Sequence, residues 1–451
     1  MAKNPFHQLN VIREASRKGY IITDCYRLMY HKALWLKVHE NLYGIKESSK
    51  RFDFPYMLKI DGLIEKLKAG IFRFSAVNNC VKLKVNKKTA VLNEVMWENE
   101  LVGEGIRIIL TNVYDPLFSE HAHGSRSGSG RHTALSSIKN NWKELNWCLK
   151  GEITALHDHL TPAKVVQSIA KKINDRRFLL LIHNAVANGV LKQSKAPANF
   201  GRSIYNKKLY LLLTDIFLRQ FDCFIENQFL KREMKQSNNA LEMEYVRYHN
   251  HFVIGIAAHK YFSKNTSETI HHYLEKKLCI PANLQIIHFD KSIPFLGFHL
   301  RREQNKGQMK KQHPIKKKNT TQSIRLEIPQ KKLQEAANKH NYGDLMRYKC
   351  THRPNLINKS EVTILRMYNK ELYEIAAYYR LADNFHQLDG FFYFAQCSFI
   401  KTLAHKRRTT FRKVILSTKR HRQGAICIVS KDKAGNKLTH SFIKRNKLSF
   451  E

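Results

Sequence analysis

The chain has 451 residues, of which 43% are hydrophobic, so it can form two or three domains with a substantial core. Its 78 Lys and Arg against 37 Asp and Glu give a net charge of +41, which predicts a polyanionic partner, nucleic acid above all. No apolar run approaches the roughly 18 residues of a membrane-spanning helix, and eight scattered cysteines without a Cys-x-x-Cys pair argue against a zinc ribbon or a disulfide framework.

Helical patterns dominate residues 1–80. Apolar residues at helical spacing follow Tyr26, and a second amphipathic run over 60–69 ends at Gly70, a typical helix C-cap. Residues 81–85 then alternate apolar and basic side chains, which predicts a half-buried strand.

The middle of the chain alternates helical and extended patterns. Residues 125–131 form a loop rich in Gly and Ser ahead of a helix that begins near His132. Residues 161–182 and 209–230 are strongly helical in pattern, and 245–256 predict two apolar strands around a tight polar tip.

A basic, low-complexity segment over 301–318 predicts a linker or loop and marks the best domain boundary. It is either a sequence-independent RNA clamp or a solvated loop. Residues 326–416 are again helical in pattern. The basic end, 417–451, contains a possible hairpin formed by 425–429 and 437–442.

Six motifs in order resemble those of group II intron maturases, which are related to reverse transcriptases. They lie at 115–135 (matching at His123, Gly124, Arg126, Gly128 and His132), 151–159, 209–222, 245–254, 295–298 and 402–414. The resemblance implies an α+β fold with right-hand, reverse-transcriptase-like fingers and palm and a helical thumb, termed domain X. The implied domains are an N-terminal helical extension (1–80), fingers and palm (81–300), a basic linker (301–325), the thumb (326–416) and a basic tail (417–451).

The departures from the family pattern fall where the polymerase chemistry would be. The family motif Tyr-Ala-Asp-Asp is Tyr-His-Asn-His at 248–251, and the positions matched to the three metal-binding aspartates are Glu152, Asn250 and His251. Two Mg²⁺ ions need hard anionic oxygens, and neither an amide nor an imidazole supplies the charge. We therefore expect no catalytic residues, no bound metal and no cofactor.

Other positions that bind substrate in the family also differ here. His157 replaces a Phe under the incoming sugar. The strand whose Arg meets the triphosphate corresponds to 90–95, and a Pro-Gln-Gly motif corresponds to 204–206. Three histidine pairs (157/159, 249/251 and 271/272) invite a zinc hypothesis, but drift at a disused site is the favoured interpretation.

The expected RNA-binding cations lie in the fingers motif, the basic segment and the thumb. They are Arg126, Arg131, Arg301, Arg302, Lys310, Lys311, Lys401, Lys406, Arg407, Arg408, Arg412 and Lys413. The resemblance implies an RNA-binding maturase that stabilises a folded organellar group II or group III intron, with polymerase activity lost. The expected partner is the intron RNA, without a membrane or a small-molecule substrate, and the expected compartment is the plastid, with the mitochondrion as the alternative.

Two other functions stay open. An active reverse transcriptase would need Glu152 together with another carboxylate, such as Asp158 or Asp290. A general structured-RNA-binding protein would share the positive charge but would not prefer one intron.

Overall fold

The computed structural model describes residues 4–44, 54–74, 89–190, 207–230, 243–257, 259–302, 323–418, 426–431 and 436–450. The chain divides into two compact units, one comprising residues 1–137 and 145–287 and the other residues 138–144 and 288–451. Each unit combines helices with antiparallel strands, which confirms the α+β class.

Helices form most of the first unit. In chain order they are α1 (Pro5–Arg17), α2 (Lys32–Tyr43), α3 (Phe54–Lys68), α4 (Thr89–Tyr114), α5 (Arg131–Asn141, which crosses the unit boundary), α6 (Leu156–His159), α7 (Pro162–Ala170), α8 (Arg176–Ala185), α9 (Lys207–Ile225) and α10 (Lys260–His272). The helix predicted over 161–182 is two helices, because the Asp175 side chain accepts from Phe178 N and caps a new one. Gly70, with φ +70°, has the left-handed backbone predicted for a C-cap.

A four-stranded sheet lies among these helices. Its strands are β1 (Trp147–Ile153), β2 (Met243–Tyr248), β3 (His251–Ile256) and β4 (Ala282–His288), in the spatial order β2-β3-β1-β4. The predicted hairpin over 245–256 is confirmed as β2 and β3, which pair in antiparallel register. Helix α9 buries Phe221 near Phe252 of β3, so one apolar core joins the sheet to the helices.

The second unit begins with a three-stranded antiparallel sheet of β5 (Ile293–Phe295), β6 (Phe298–Arg302) and β7 (Ile324–Glu327). The remaining elements are α11 (Gln330–Lys339), β8 (Gly343–Asp344), β9 (Lys349–Cys350), α12 (Glu361–Tyr378), α13 (Leu388–Lys406), α14 (Phe411–Thr418), β10 (Cys427–Lys431) and β11 (Lys437–Ser441). The predicted C-terminal hairpin is confirmed, since β10 and β11 pair in antiparallel register.

Short single-turn helices connect several of these elements. The 3-10 turns are Tyr26–Tyr30, Asp115–Leu117, Pro354–Leu356, Phe385–Gln387 and Arg445–Lys447, and the π turns are Val186–Val190, Glu226–Leu230 and Tyr273–Lys277. Among the helices of the described ranges, none combines the length and the hydrophobicity needed to span a bilayer.

Two sequence expectations need correction. The strand expected at 90–95 is instead the start of α4, in keeping with its content of Ala, Leu and Glu, which favour helix, and with the absence of Pro. The two ends of the expected 301–325 linker belong to strands β6 and β7, in which Arg302 pairs with Ile324. The expectations for 81–85 and 204–206 lie outside the described residues.

Candidate functional site

The sheet brings the three motif-matched positions to one place. Glu152, near the end of β1, is the register partner of His251 on β3, and Glu152 Oε1 lies 4.0 Å from His251 Nδ1. Asn250, at the tip, donates from Nδ2 to the Ile153 carbonyl at 3.2 Å. Burial lowers the pKa of His251 although Glu152 opposes the shift, so the imidazole is neutral at pH 7. One carboxylate, one amide and one imidazole therefore occupy the positions matched to three aspartates.

The other acidic and histidine candidates have separate surroundings. Asp158 is exposed on α6, while Asp290 belongs to the second unit and pairs with His288 at 2.9 Å. His271 faces Glu275 at 3.4 Å. Within the described ranges, no three His, Cys, Asp or Glu side chains are grouped as a metal site would require. The side chain of His157 lies outside the described residues.

A buried ionic network supports the hairpin tip, and no pattern in the sequence predicted it. Arg247, on β2, is fully buried and donates to both oxygens of Asp222, each at 2.6 Å. Its Nη1 also donates to Asp215 at 2.5 Å, and the Tyr245 hydroxyl donates to Asp222 at 2.8 Å. Because both carboxylates lie on α9, one guanidinium fastens this helix to the strand that leads to the tip.

The second oxygen of Asp215 reaches the tip itself. It accepts from the Ser125 hydroxyl at 2.6 Å and lies 2.8 Å from His249 Nδ1. Arg247 Nη1 also donates to the His249 carbonyl at 2.9 Å. Burial alone would raise the pKa of Asp215, but Arg247, His249 and Ser125 together lower it to about 2. The network therefore holds His249 at φ +53°, a backbone conformation that costs a non-glycine residue about 1–2 kcal/mol.

A glycine is required at position 124, where the loop that precedes α5 meets this network. A Cβ at Gly124 would lie 2.3 Å from Asp215 Oδ2 and 2.6 Å from His249 Nδ1. We expect Gly124→Ala to displace the tip and lower the free energy of unfolding by about 1–3 kcal/mol, measured in urea. Gly130→Ala is the matched control, because the space around that Cβ is open. Equal stabilities of the two variants would contradict the packing argument.

His123 makes the stability of the first unit depend on pH. Burial, Arg126, His121 and Arg247 lower its pKa from 6.5 to about 4. Between about pH 4 and pH 6.5, His123 therefore binds a proton in the unfolded chain but not in the folded chain. The contribution of neutral, buried His123 to stability is present above about pH 6.5 and is lost as the pH falls towards 4. The ionised Asp215 carboxylate, with a pKa of about 2, loses its own contribution to stability only at lower pH than His123 does.

We expect a measurable difference between the wild type and His123→Gln. Between pH 7 and pH 5, the free energy of unfolding of the wild type should fall by about 1–2 kcal/mol more than that of the variant. Urea titrations at both pH values measure the difference. Parallel pH profiles would contradict the assignment to His123.

The predicted RNA-binding cations of the first unit lie close to the tip. Arg126 donates from Nε to the Ser129 hydroxyl at 3.0 Å, within the loop that precedes α5. The guanidinium of Arg131 lies 5.8 Å from the ring centre of Tyr248, as in a cation–π contact. Both arginine side chains therefore contact neighbouring residues of the first unit near the tip.

The predicted thumb cations separate into two groups. Three are engaged within the second unit: Lys401 Nζ donates to the Cys350 carbonyl at 2.8 Å, Lys406 Nζ donates to the Ile357 carbonyl at 2.8 Å, and Arg407 makes a two-point ion pair with Glu361 at 2.6 and 2.7 Å. The others, Arg408, Arg412 and Lys413, are exposed, and their side chains have no hydrogen bond or ion pair to the described residues.

The cations of the basic segment are only partly described. Arg301 lies 3.5 Å from Glu327 on the neighbouring strand, and Arg302 ends β6. Lys310 and Lys311 lie outside the described residues. Of the predicted cations that the structure describes, Arg408, Arg412 and Lys413 thus have the surroundings most suited to phosphate contact. We name these three the α14 cation group, although Arg408 lies in the turn before α14 and only Arg412 and Lys413 lie on it.

Comparison with known proteins finds a matching family model and several similar proteins. Residues 321–444, which include α11 to α14, match the family model described as type II intron maturase. The group II intron-encoded protein LtrA of Lactococcus lactis subsp. cremoris is 26% identical over 88% of this chain and 76% of its own length. The putative COX1/OXI3 intron 2 protein of Saccharomyces cerevisiae is 23% identical over 79% of this chain and 48% of its own.

A plant relative matches over a shorter stretch. The mitochondrial nuclear intron maturase 4 of Arabidopsis thaliana is 28% identical over 36% of this chain and 20% of its own length. These matches identify the chain as a maturase-like protein related to reverse transcriptases. Its part over 321–444 is a type II intron maturase domain, and its role is related to the splicing of group II introns.

Proposed function

We propose that this protein assists the splicing of an intron by binding and stabilising its folded RNA, and that it does not copy nucleic acid. The observation that carries the proposal is the chemistry of the hairpin tip, where Glu152, Asn250 and His251 converge. Two Mg²⁺ ions roughly 4 Å apart need several anionic oxygens, and a single carboxylate cannot supply them.

The nearby buried acids do not replace the missing pair. Asp215 and Asp222 are 1% and 0% exposed, and both are ion-paired with Arg247. They act as structural supports for the tip. We place this degenerate site in a right-hand framework of fingers, palm and thumb, with the boundaries expected from the sequence except at the two ends of the linker, which belong to β6 and β7.

The positive charge supports the splicing role. Folding a large RNA brings phosphates together, and a protein with a net charge of +41 offsets the resulting repulsion. Only a protein that binds the active RNA fold better than misfolded ones favours the active fold. The α14 cation group is our principal candidate for phosphate contacts, with Arg126 and Arg131 as candidates in the fingers.

Primer extension tests the loss of polymerase activity. Purified protein is incubated with a primed RNA template, nucleotides and either Mg²⁺ or Mn²⁺, and we expect no extended product. Extension that disappears in Glu152→Gln would show a working reverse transcriptase and overturn the proposal.

Competition between RNAs tests the alternative of a general RNA-binding protein. Labelled intron RNA is bound to the protein and challenged with unlabelled intron or with an unrelated structured RNA of equal length. We expect the intron to compete at least about 10-fold better than the unrelated RNA. Phosphate contacts alone would not distinguish the two RNAs, so such a preference would show contacts specific to the intron. Equal competition would favour the general RNA-binding function.

We place the intron in an organelle, and it belongs to group II or to the reduced group III. Three relatives with mitochondrial names, from Arabidopsis thaliana, support the mitochondrial alternative. The similar bacterial and fungal proteins give no support for the plastid. The genome that contains the reading frame decides between the two compartments.

A further inference from the structure

A cleft of about 330 Å³ lies in the second unit, between α13 and the segment that follows β11. Asp389, Phe392, Tyr393 and Gln396 line it from one face of α13, at the helical spacing i, i+3, i+4 and i+7. Its volume is at the lower end of the range for small-ligand pockets. Among the predicted RNA-binding residues that the structure describes, none lines this cleft.

The floor of the cleft is apolar and held in place. Phe392, Phe442 and Ile426 are 6%, 5% and 2% exposed. Phe442 N donates to the Ile426 carbonyl at 2.8 Å, and the Asn369 side chain bonds the backbone on both sides of Phe442, at 2.9 and 3.0 Å. A preformed floor lowers the ordering cost of binding a ligand.

One wall offers an exposed aromatic ring. Tyr393 is 69% exposed on α13, so the face of its ring is open to a ligand. The half-buried amide of Gln396 lies in the same lining and offers both a donor and an acceptor. A ring beside an amide matches a flat ligand with a polar edge.

The charge of the cleft favours an anion. Arg445 bonds both oxygens of Asp389, at 2.6 and 2.8 Å, and so neutralises the one acid in the lining. Lys444 adds a further positive charge at the same edge. An aromatic wall, an amide and a net positive edge correspond to the base and the phosphate of a nucleotide.

We propose that this cleft binds an unpaired nucleotide of the RNA, with the base stacked on Tyr393, its edge at Gln396 and its phosphate near Lys444. The inference rests on the proposed function to the extent that RNA is the partner. A base inside a duplex is already stacked and paired, so the cleft selects single-stranded positions such as loops and bulges.

The test uses the full chain with labelled octauridylate, octaadenylate and an RNA duplex of eight base pairs. Binding is measured at about 0.3 M salt, where contacts from the rest of the basic surface are weakened. Tyr393→Ala should weaken single-strand binding about 5- to 100-fold and leave duplex binding unchanged. Tyr393→Phe should bind as the wild type does, because the stacking ring is retained.

Tyr348→Ala is the matched control, since Tyr348 is an 81% exposed tyrosine of the same unit outside the cleft lining. A single strand carrying 4-thiouridine should crosslink to the peptide that contains Tyr393. Equal losses in both alanine variants, crosslinks that map elsewhere, or equal competition by octaglutamate would overturn the proposal, the last by assigning the cleft to an acidic polypeptide.

The two proposals can fail separately. Intron splicing that is accelerated by the protein, combined with single-strand binding that does not depend on Tyr393, would reject the cleft alone. A Tyr393-dependent crosslink in a protein that accelerates no splicing would reject the splicing role alone.

Discussion

Arg247→Met is expected to lower the free energy of unfolding by about 3–5 kcal/mol, because it leaves two buried carboxylates on α9 without their partner. Arg247 is completely buried, and it bonds Asp222 at two points and Asp215 at one. The loss should be seen in urea unfolding monitored by circular dichroism. Arg176→Met is the matched control, since Arg176 is exposed at the start of α8, and it should cost less than about 0.5 kcal/mol.

A double variant separates charge from packing in the same experiment. Replacing Asp222 by Leu in the Arg247→Met background removes one of the stranded carboxylates. We expect this variant to recover part of the stability, because removing both partners of a buried ion pair costs less than removing one. A double variant less stable than Arg247→Met would contradict the assignment of the loss to the unpaired charge.

Replacing the α14 cation group by Gln, in Arg408→Gln/Arg412→Gln/Lys413→Gln, is expected to weaken intron RNA binding about 10- to 100-fold at 0.1 M salt. Each phosphate contact contributes about 0.7–0.9 to the slope of log K against log salt. The slope should therefore become shallower by about 2. Filter binding between about 0.05 and 0.3 M salt measures both quantities.

The control changes the net charge by the same amount at other sites of the second unit. Lys331, Lys339 and Lys359 are exposed lysines on α11 and in the loop before α12. Their combined change to Gln should alter the slope by less than half as much. If both triple variants weaken binding equally, the contact is distributed over the unit and the α14 cation group has no special role.

Much of the fold follows from local sequence patterns. The apolar strands on both sides of the polar tip predict the β2–β3 hairpin, and Gly70 predicts the end of a helix. The break at Asp175 has a visible signal as well, because an aspartate ahead of a helical run is a typical N-cap. The start of α4 was predicted wrongly, since a family motif suggested a strand where the residues themselves favour helix.

The supports of the candidate site were harder to predict. Arg247 is a charged residue in an apolar strand, while Asp215 and Asp222 lie seven residues apart on the apolar helix α9. Each alone is an anomaly, and only the fold shows that the two aspartates pair with the same arginine. The division among the thumb cations is also invisible in the sequence, because it depends on distant acceptors such as Glu361 and the Cys350 carbonyl.

The proposed splicing role is best tested by the rate at which the intron is excised from the protein's own precursor RNA. At low Mg²⁺ and moderate salt, the wild-type protein should accelerate excision, and Glu152→Gln should accelerate it equally because no polymerase chemistry is involved. The α14 triple variant should lose most of the acceleration. An excision rate that purified protein leaves unchanged, or acceleration that requires the Glu152 carboxylate, would contradict the account.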